Sequence, residues 1–142
     1  GDVDPYRALA GRLGVSPRVV FAGPRNDIES VYAAGDVLLA PTRYDAFSNA
    51  TLEGLAMGLP VITTRMNGAS EIVTEGREGY VVHDAEDTDA IARALDRLAD
   101  SGHRAEMGRH ARARAESQNP RAHADGLVKV LEAAIATGPG GC

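Results

Sequence analysis

The chain has 142 residues, a size that fits one domain and buries roughly two thirds of the surface exposed by its unfolded form. Apolar residues make up 44% and charged residues 25%, which argues against a disordered or fibrous protein. The formal net charge of -5 argues against wide contact with nucleic acid or anionic membrane, so no nucleic-acid partner is expected.

The only cysteine is Cys142, so no intramolecular disulfide forms and a reducing compartment, the cytoplasm, is expected. No apolar run approaches the ~20 residues that span a bilayer, and the first four residues carry no signal pattern.

Tyr6, Leu9, Ala10 and Leu13 fall at helical spacing before Gly14, which predicts a helix over about 5–13. Val19, Val20, Phe21 and Ala22 form a continuous apolar run closed by Gly23 and Pro24, the pattern of a strand buried on both faces. A helix follows, capped by Asn26 with Glu29 three residues on and striped by Ile28, Val31 and Tyr32. Residues 37–40 are a second apolar run, stopped by Pro41, and a helix over about 48–58 places Leu52, Leu55, Ala56 and Leu59 on one face. Pro60, Val61 and Ile62 enter a third strand, and Tyr80, Val81 and Val82 form a fourth. Ile91, Ala94, Leu95 and Leu98 mark another helix. Asn119 and Pro120 open a last one, striped by Leu127, Val130, Leu131, Ala134 and Ile135. Residues 138–142 are expected to be a disordered tail. Fully apolar strands that alternate with amphipathic helices predict a doubly wound α/β fold, a parallel sheet covered on both faces, in one domain over residues 1–137.

In such sheets ligands sit beyond the carboxyl ends of the strands, so the informative residues follow each apolar run. After the run 37–40 come Pro41, Thr42, Arg43, Tyr44, Asp45, Ala46, Phe47, Ser48, Asn49, Ala50, Thr51, Leu52 and Glu53: a strand, a turn of small polar residues and a helix start. With Ser48 or Asn49 as the cap, the N–H groups of Asn49, Ala50 and Thr51 face the cleft unpaired. Together with the helix dipole they make an anion site suited to a diphosphate. Asp45 and Glu53 flank that site. Carboxylates repel phosphate, so if both face the cleft they are expected to accept from hydroxyls, of a sugar at one end and a ribose at the other.

The stretch 41–73 resembles the signature of the group 1 family of retaining glycosyltransferases, enzymes of the two-domain GT-B architecture. That signature has proline, an acidic residue, seven residues, a glutamate, a helix of small residues and a Gly-x-Pro-Val strand. Here it is Pro41, Asp45, Glu53, Gly58, Leu59, Pro60 and Val61, followed by Asn67, Gly68 and Glu71 in place of Gly-Gly-x-x-Glu. The resemblance implies a nucleoside-diphosphate sugar as donor. Asp45 would stand at the reacting sugar, Glu53 on the ribose and the backbone of Phe47, Ser48, Asn49 and Ala50 on sugar and diphosphate. Pro24 and Arg25 would lie near the base. It implies no cofactor and often no metal. The chain departs from the family in having Asp45 for the usual glutamate and Phe47-Ser48-Asn49 for the commoner Phe-Gly stretch.

The family's upstream arginine and lysine, which neutralise the leaving diphosphate, have no counterpart here, and neither do the first strand, its glycine-rich loop and the acceptor domain. The expectation is therefore a partial nucleotide-sugar-binding domain, inactive alone. Its full-length enzyme would be cytoplasmic, with peripheral membrane association compatible. In the order 3-2-1-4-5-6 the two strands between the runs 19–22 and 37–40 are absent, so those runs should close on each other, recruit a second copy or another polypeptide, or leave residues 1–25 partly disordered.

Competing readings were a non-catalytic nucleotide-sugar-binding module, an epimerase of the same architecture and a phosphorylated receiver. The last lacks a lysine after the third strand. His83, His103, His110 and His123 lack metal-ligand spacing, and Arg104, Arg109, Arg112 and Arg114 point in widely different directions on a helix, as on a solvated surface. Asp36 is assigned a structural role. In isolation, Asp45 fits a turn residue bonding its own backbone, and Glu53 a solvated helix position.

Overall fold

The structure, a computed structural model, describes residues 2–118 and 120–137, the side chains of 120–123 and 137 excepted. Its helices are α1 (Asp4–Arg12), α2 (Ile28–Ala33), α3 (Asn49–Ala56), α4 (Thr88–Arg97), α5 (Ser101–Ser117) and α6 (Pro120–Thr137). Its strands are β1 (Leu38–Ala40), β2 (Val61–Thr64) and β3 (Gly79–Val82). Short 3-10 turns occupy Ser16–Arg18 and Gly68–Ile72.

The strands form one parallel sheet in the order β1-β2-β3, with Leu38 opposite Val61 and Val61 opposite Gly79. Central β2 is buried along its whole length, and successive side chains serve opposite faces. Ile62, Tyr80 and Val82 pack with Ala94, Leu98 and Met107 on one face. Val61 packs with Leu55, Val73 and Ala111 on the other. Both faces are thus covered by helices, as the apolar strands predicted. Side-chain caps start α4 and α5: Asp87 accepts from Ala90 N–H (2.9 Å) and Asp100 from His103 N–H (2.7 Å).

Several expectations are corrected. Residues 19–22 form no strand and do not close on β1, and Val20 is 88% exposed. A run that apolar gains β structure only where a neighbouring strand supplies a ladder, and among the described residues no strand pairs with it. Ile28 and Val31 of α2 are exposed as well. That helix starts after Asp27 with no side-chain cap, so Asn26 is not its cap.

In α3 the buried positions are Thr51, Gly54 and Leu55, while Ala56 is exposed. The helix presses so closely on β1 that a Cβ on Gly54 would stand 2.5 Å from Leu38 Cδ2, and this proximity rotates the small residues inward. α5 is more than a solvated helix: Met107, Gly108 and Ala111 are buried, and Gly108 lies against the Gly58 carbonyl with no room for a side chain. The stripe of α6 is exposed, Ile135 at 79%. Asn119 and the tail 138–142 lie outside the described residues. Among the described residues no helix is long and apolar enough to cross a membrane.

Candidate functional site

The loop between β1 and α3 leaves the sheet at its carboxyl end, beside the loop that follows β2. Two backbone hydrogen bonds lace these loops together: Asp45 N–H donates to the Met66 carbonyl (3.0 Å), and Gly68 N–H donates to the Asp45 carbonyl (2.9 Å). Gly68 is required there, because a Cβ would overlap the Ala46 carbonyl.

Asn67 fastens the pair from within. It is fully buried, and its Oδ1 accepts from the N–H groups of Ser48 (3.2 Å) and Ala69 (3.0 Å). Its Nδ2 donates to Thr51 Oγ1 (3.1 Å) and Thr63 Oγ1 (2.9 Å), so the amide is fully satisfied. One side chain thus ties the helix start to β2. Its signal in the sequence was faint: an asparagine standing where the signature has its first glycine.

Ser48 is the α3 cap, and its Oγ accepts from Thr51 N–H (3.3 Å). That bond corrects the expectation for Thr51, which is buried and whose N–H is already paired with the Ser48 oxygens. The N–H groups of Asn49 and Ala50 have no partner among the described residues, and both residues are exposed. The helix therefore offers two free donors at its positive end, not three.

Asp45 is half-buried, and its Oδ1 accepts from Phe47 N–H (3.1 Å), an Asx turn that shapes the loop. Its other oxygen has no hydrogen bond among the described residues. Phe47, two residues on, is exposed.

Glu53, one helical turn beyond Asn49, is exposed, and its Oε2 accepts from the Tyr32 hydroxyl of α2 (3.0 Å). Burial first, and then the hydrogen bond and charge of Glu53, raise the Tyr32 phenol above its ordinary value. Sequence reasoning placed Tyr32 only in a buried stripe.

Arg25 makes no hydrogen bond or ion pair with Asp45, Glu53 or the α3 start. It lies in the segment before α2, paired with Asp27 at 2.5 Å, and its guanidinium holds the Asp27 carboxyl below the ordinary carboxylate range. Asp36, given a structural role, is ion-paired with Arg104 of α5 (3.2 Å). Beyond the carboxyl ends of the strands a cavity of about 410 Å³ is lined by Thr42, Arg43, Met66, His83, Asp84 and Glu86. Arg43 and Glu86 pair across it at 2.5 Å.

Comparison with known proteins decides the family. Residues 1–101 match the family of glycosyl transferases group 1. The chain belongs to that family. Over 92% of its length it is 36% identical to the D-inositol 3-phosphate glycosyltransferase of Acidothermus cellulolyticus, of which it spans 29%.

Among solved structures it is similar to WaaG, a glycosyltransferase involved in lipopolysaccharide biosynthesis, with TM-score 0.77 and 31% identity over 83% of this chain and 32% of that one. It is also similar to Anabaena Alr3699/HepE in complex with UDP-glucose, with TM-score 0.76 and 25% identity over 93% of this chain and 37% of that one. As a group 1 glycosyl transferase chain it spans about a third of the length of these relatives. Its α/β sheet has three parallel strands among the described residues.

Proposed function

We propose that this chain is the donor side of a retaining glycosyltransferase: a partial domain, residues 1–137, that binds a nucleoside-diphosphate sugar. The observation that carries this reading is the α3 start, where the N–H groups of Asn49 and Ala50 are free among the described residues and Asp45 and Glu53 lie before and after them in the chain, each with one carboxylate oxygen unbonded. A similar protein of known structure holds UDP-glucose, which supports the ligand class.

In this reading the helix N–H groups and dipole face the diphosphate, Asp45 accepts from hydroxyls of the donor sugar, and Glu53 accepts from the ribose. Phe47 and Ser48 shape the sugar end, while Arg25 stands at the base end. Thr51 serves through its side chain, as part of the Asn67 network, and not as a phosphate donor. Cleavage of the bond between sugar and diphosphate leaves an electron pair and negative charge on the phosphate oxygen. Prepositioned donors lower the barrier by stabilising that charge.

The whole enzyme would pass the sugar to an acceptor held by a second domain, with retained anomeric configuration, in the cytoplasm or at its membrane face. The 142-residue chain alone would transfer nothing, because this reading puts the basic pair and the acceptor site on other parts of the protein.

Calorimetric titration with UDP and UDP-glucose tests the binding claim. Saturable binding of both, with no sugar transferred or epimerised, is the expected result. Absence of binding by either ligand defeats the donor-site reading, and an altered sugar would favour an epimerase.

A further inference from the structure

Glu53 is a long acidic side chain on an exposed helix position, and by itself it would sample many rotamers at an entropic cost to any ligand that needs one of them. One contact restrains it. The Tyr32 hydroxyl, 21 residues earlier and on a different helix, donates to Oε2 at 3.0 Å. Tyr32 is only half-exposed and has few rotatable bonds, so it is the more rigid partner of the two.

Oε1 of Glu53 has no hydrogen bond among the described residues. A carboxylate oxygen only accepts, so the unanchored one selects a hydroxyl and rejects a phosphate. The free N–H groups at Asn49 and Ala50 lie about one helical turn, roughly 5 Å along the axis, nearer the helix start.

We propose that Tyr32 is a positioning residue for ribose recognition: its phenol holds Glu53 so that the remaining carboxylate oxygen meets a ribose hydroxyl. Nucleotide affinity then depends on the nucleoside sugar as well as on the diphosphate. This inference rests on the donor-site reading above. A purely structural strut between α2 and α3 predicts something different, since its loss would weaken every ligand alike.

The test is calorimetry of the 142-residue chain with UDP and with 2′,3′-dideoxyuridine 5′-diphosphate, which keeps the base and diphosphate and lacks both hydroxyls. The unsubstituted chain, Tyr32→Phe, Glu53→Gln and the double variant are compared, with circular dichroism confirming that each is folded. Tyr32→Phe is expected to weaken UDP about fivefold to tenfold, the scale of one hydrogen bond, and to change the dideoxy ligand by less than about twofold. The double variant should bind UDP within about twofold of Glu53→Gln alone, because the phenol acts through that carboxylate.

Equal weakening of both ligands, no weakening of either, or additive losses in the double variant overturns the role of Tyr32 while leaving the donor site standing. No UDP binding by the unsubstituted chain removes the donor site and this proposal together.

Discussion

At the residue scale, the two acidic groups of the signature differ in what already restrains them. Asp45 spends one oxygen on its own loop, through Phe47 N–H, and Glu53 spends one on Tyr32. Asp45→Ala should therefore weaken UDP-glucose more than UDP, since its unused oxygen is assigned to the sugar. Titrating both ligands checks this, and equal losses would reassign the residue to loop shape alone. The Tyr32 phenol gives a pH readout. Its folded-state pKa is raised, so the folded chain holds that proton more tightly than the unfolded chain does. The associated stability is present below the ordinary phenol value and is lost as pH rises through the raised one. Because Glu53 contributes to the shift, Glu53→Gln should move the Tyr32 titration, followed by phenolate absorbance, toward lower pH.

At the scale of elements, the start of α3 is held by its cap and by Asn67. Asn67→Ala removes the acceptor of two backbone N–H groups and the donor to two threonine hydroxyls, of which Thr63 keeps its bond to the Ala40 carbonyl, in a largely buried setting. The expected cost is about 1–3 kcal/mol of stability, read from thermal or urea unfolding. Ser48→Ala removes only a cap bond and should cost about 1 kcal/mol by the same measurement. If Ser48→Ala proves the more damaging of the two, the view of Asn67 as the main tie is wrong.

The elements most legible in the sequence were those with local signals: α1 with apolar residues at helical spacing before Gly14, β2 and β3 entered by the short apolar stretches 60–62 and 80–82, and α3 opening at Ser48 or Asn49. The face of α3 was less legible. Of the four residues that hydrophobic spacing pointed to, Leu55 and Leu59 are buried and Ala56 is exposed, while Thr51 and Gly54, the latter pressed against Leu38, are buried as well. Small residues buried by proximity carry no hydrophobic signature.

At the scale of the whole molecule, β1 is hydrogen-bonded to β2 on one side and bounds the sheet on the other. Leu39 on that edge is exposed, as are Val19 and Val20 in the segment that formed no strand. Open edges with apolar side chains invite pairing with another chain. The 142-residue chain is therefore expected to self-associate as its concentration rises, measured by sedimentation, and Leu39→Lys should shift it toward monomer. A monomer at all concentrations, or an indifferent Leu39→Lys variant, would mean that this edge is not adhesive.

Composition, apolar runs and turn chemistry by themselves determined the α/β class, the strand-turn-helix that carries the candidate site, and the spacing of Asp45 and Glu53. These are local properties, written in neighbouring residues. Only the tertiary structure decided which oxygens and N–H groups are already taken. Thr51 N–H is paired with the Ser48 oxygens, Asn67 joins Ser48 to Thr63, and Tyr32 meets Glu53 across two helices. It also decided that residues 19–22, however strand-like, stay outside the sheet. The physical reason is the same throughout. A hydrogen bond or a strand ladder belongs to a pair of groups, and distant parts of the chain meet only when the fold brings them together.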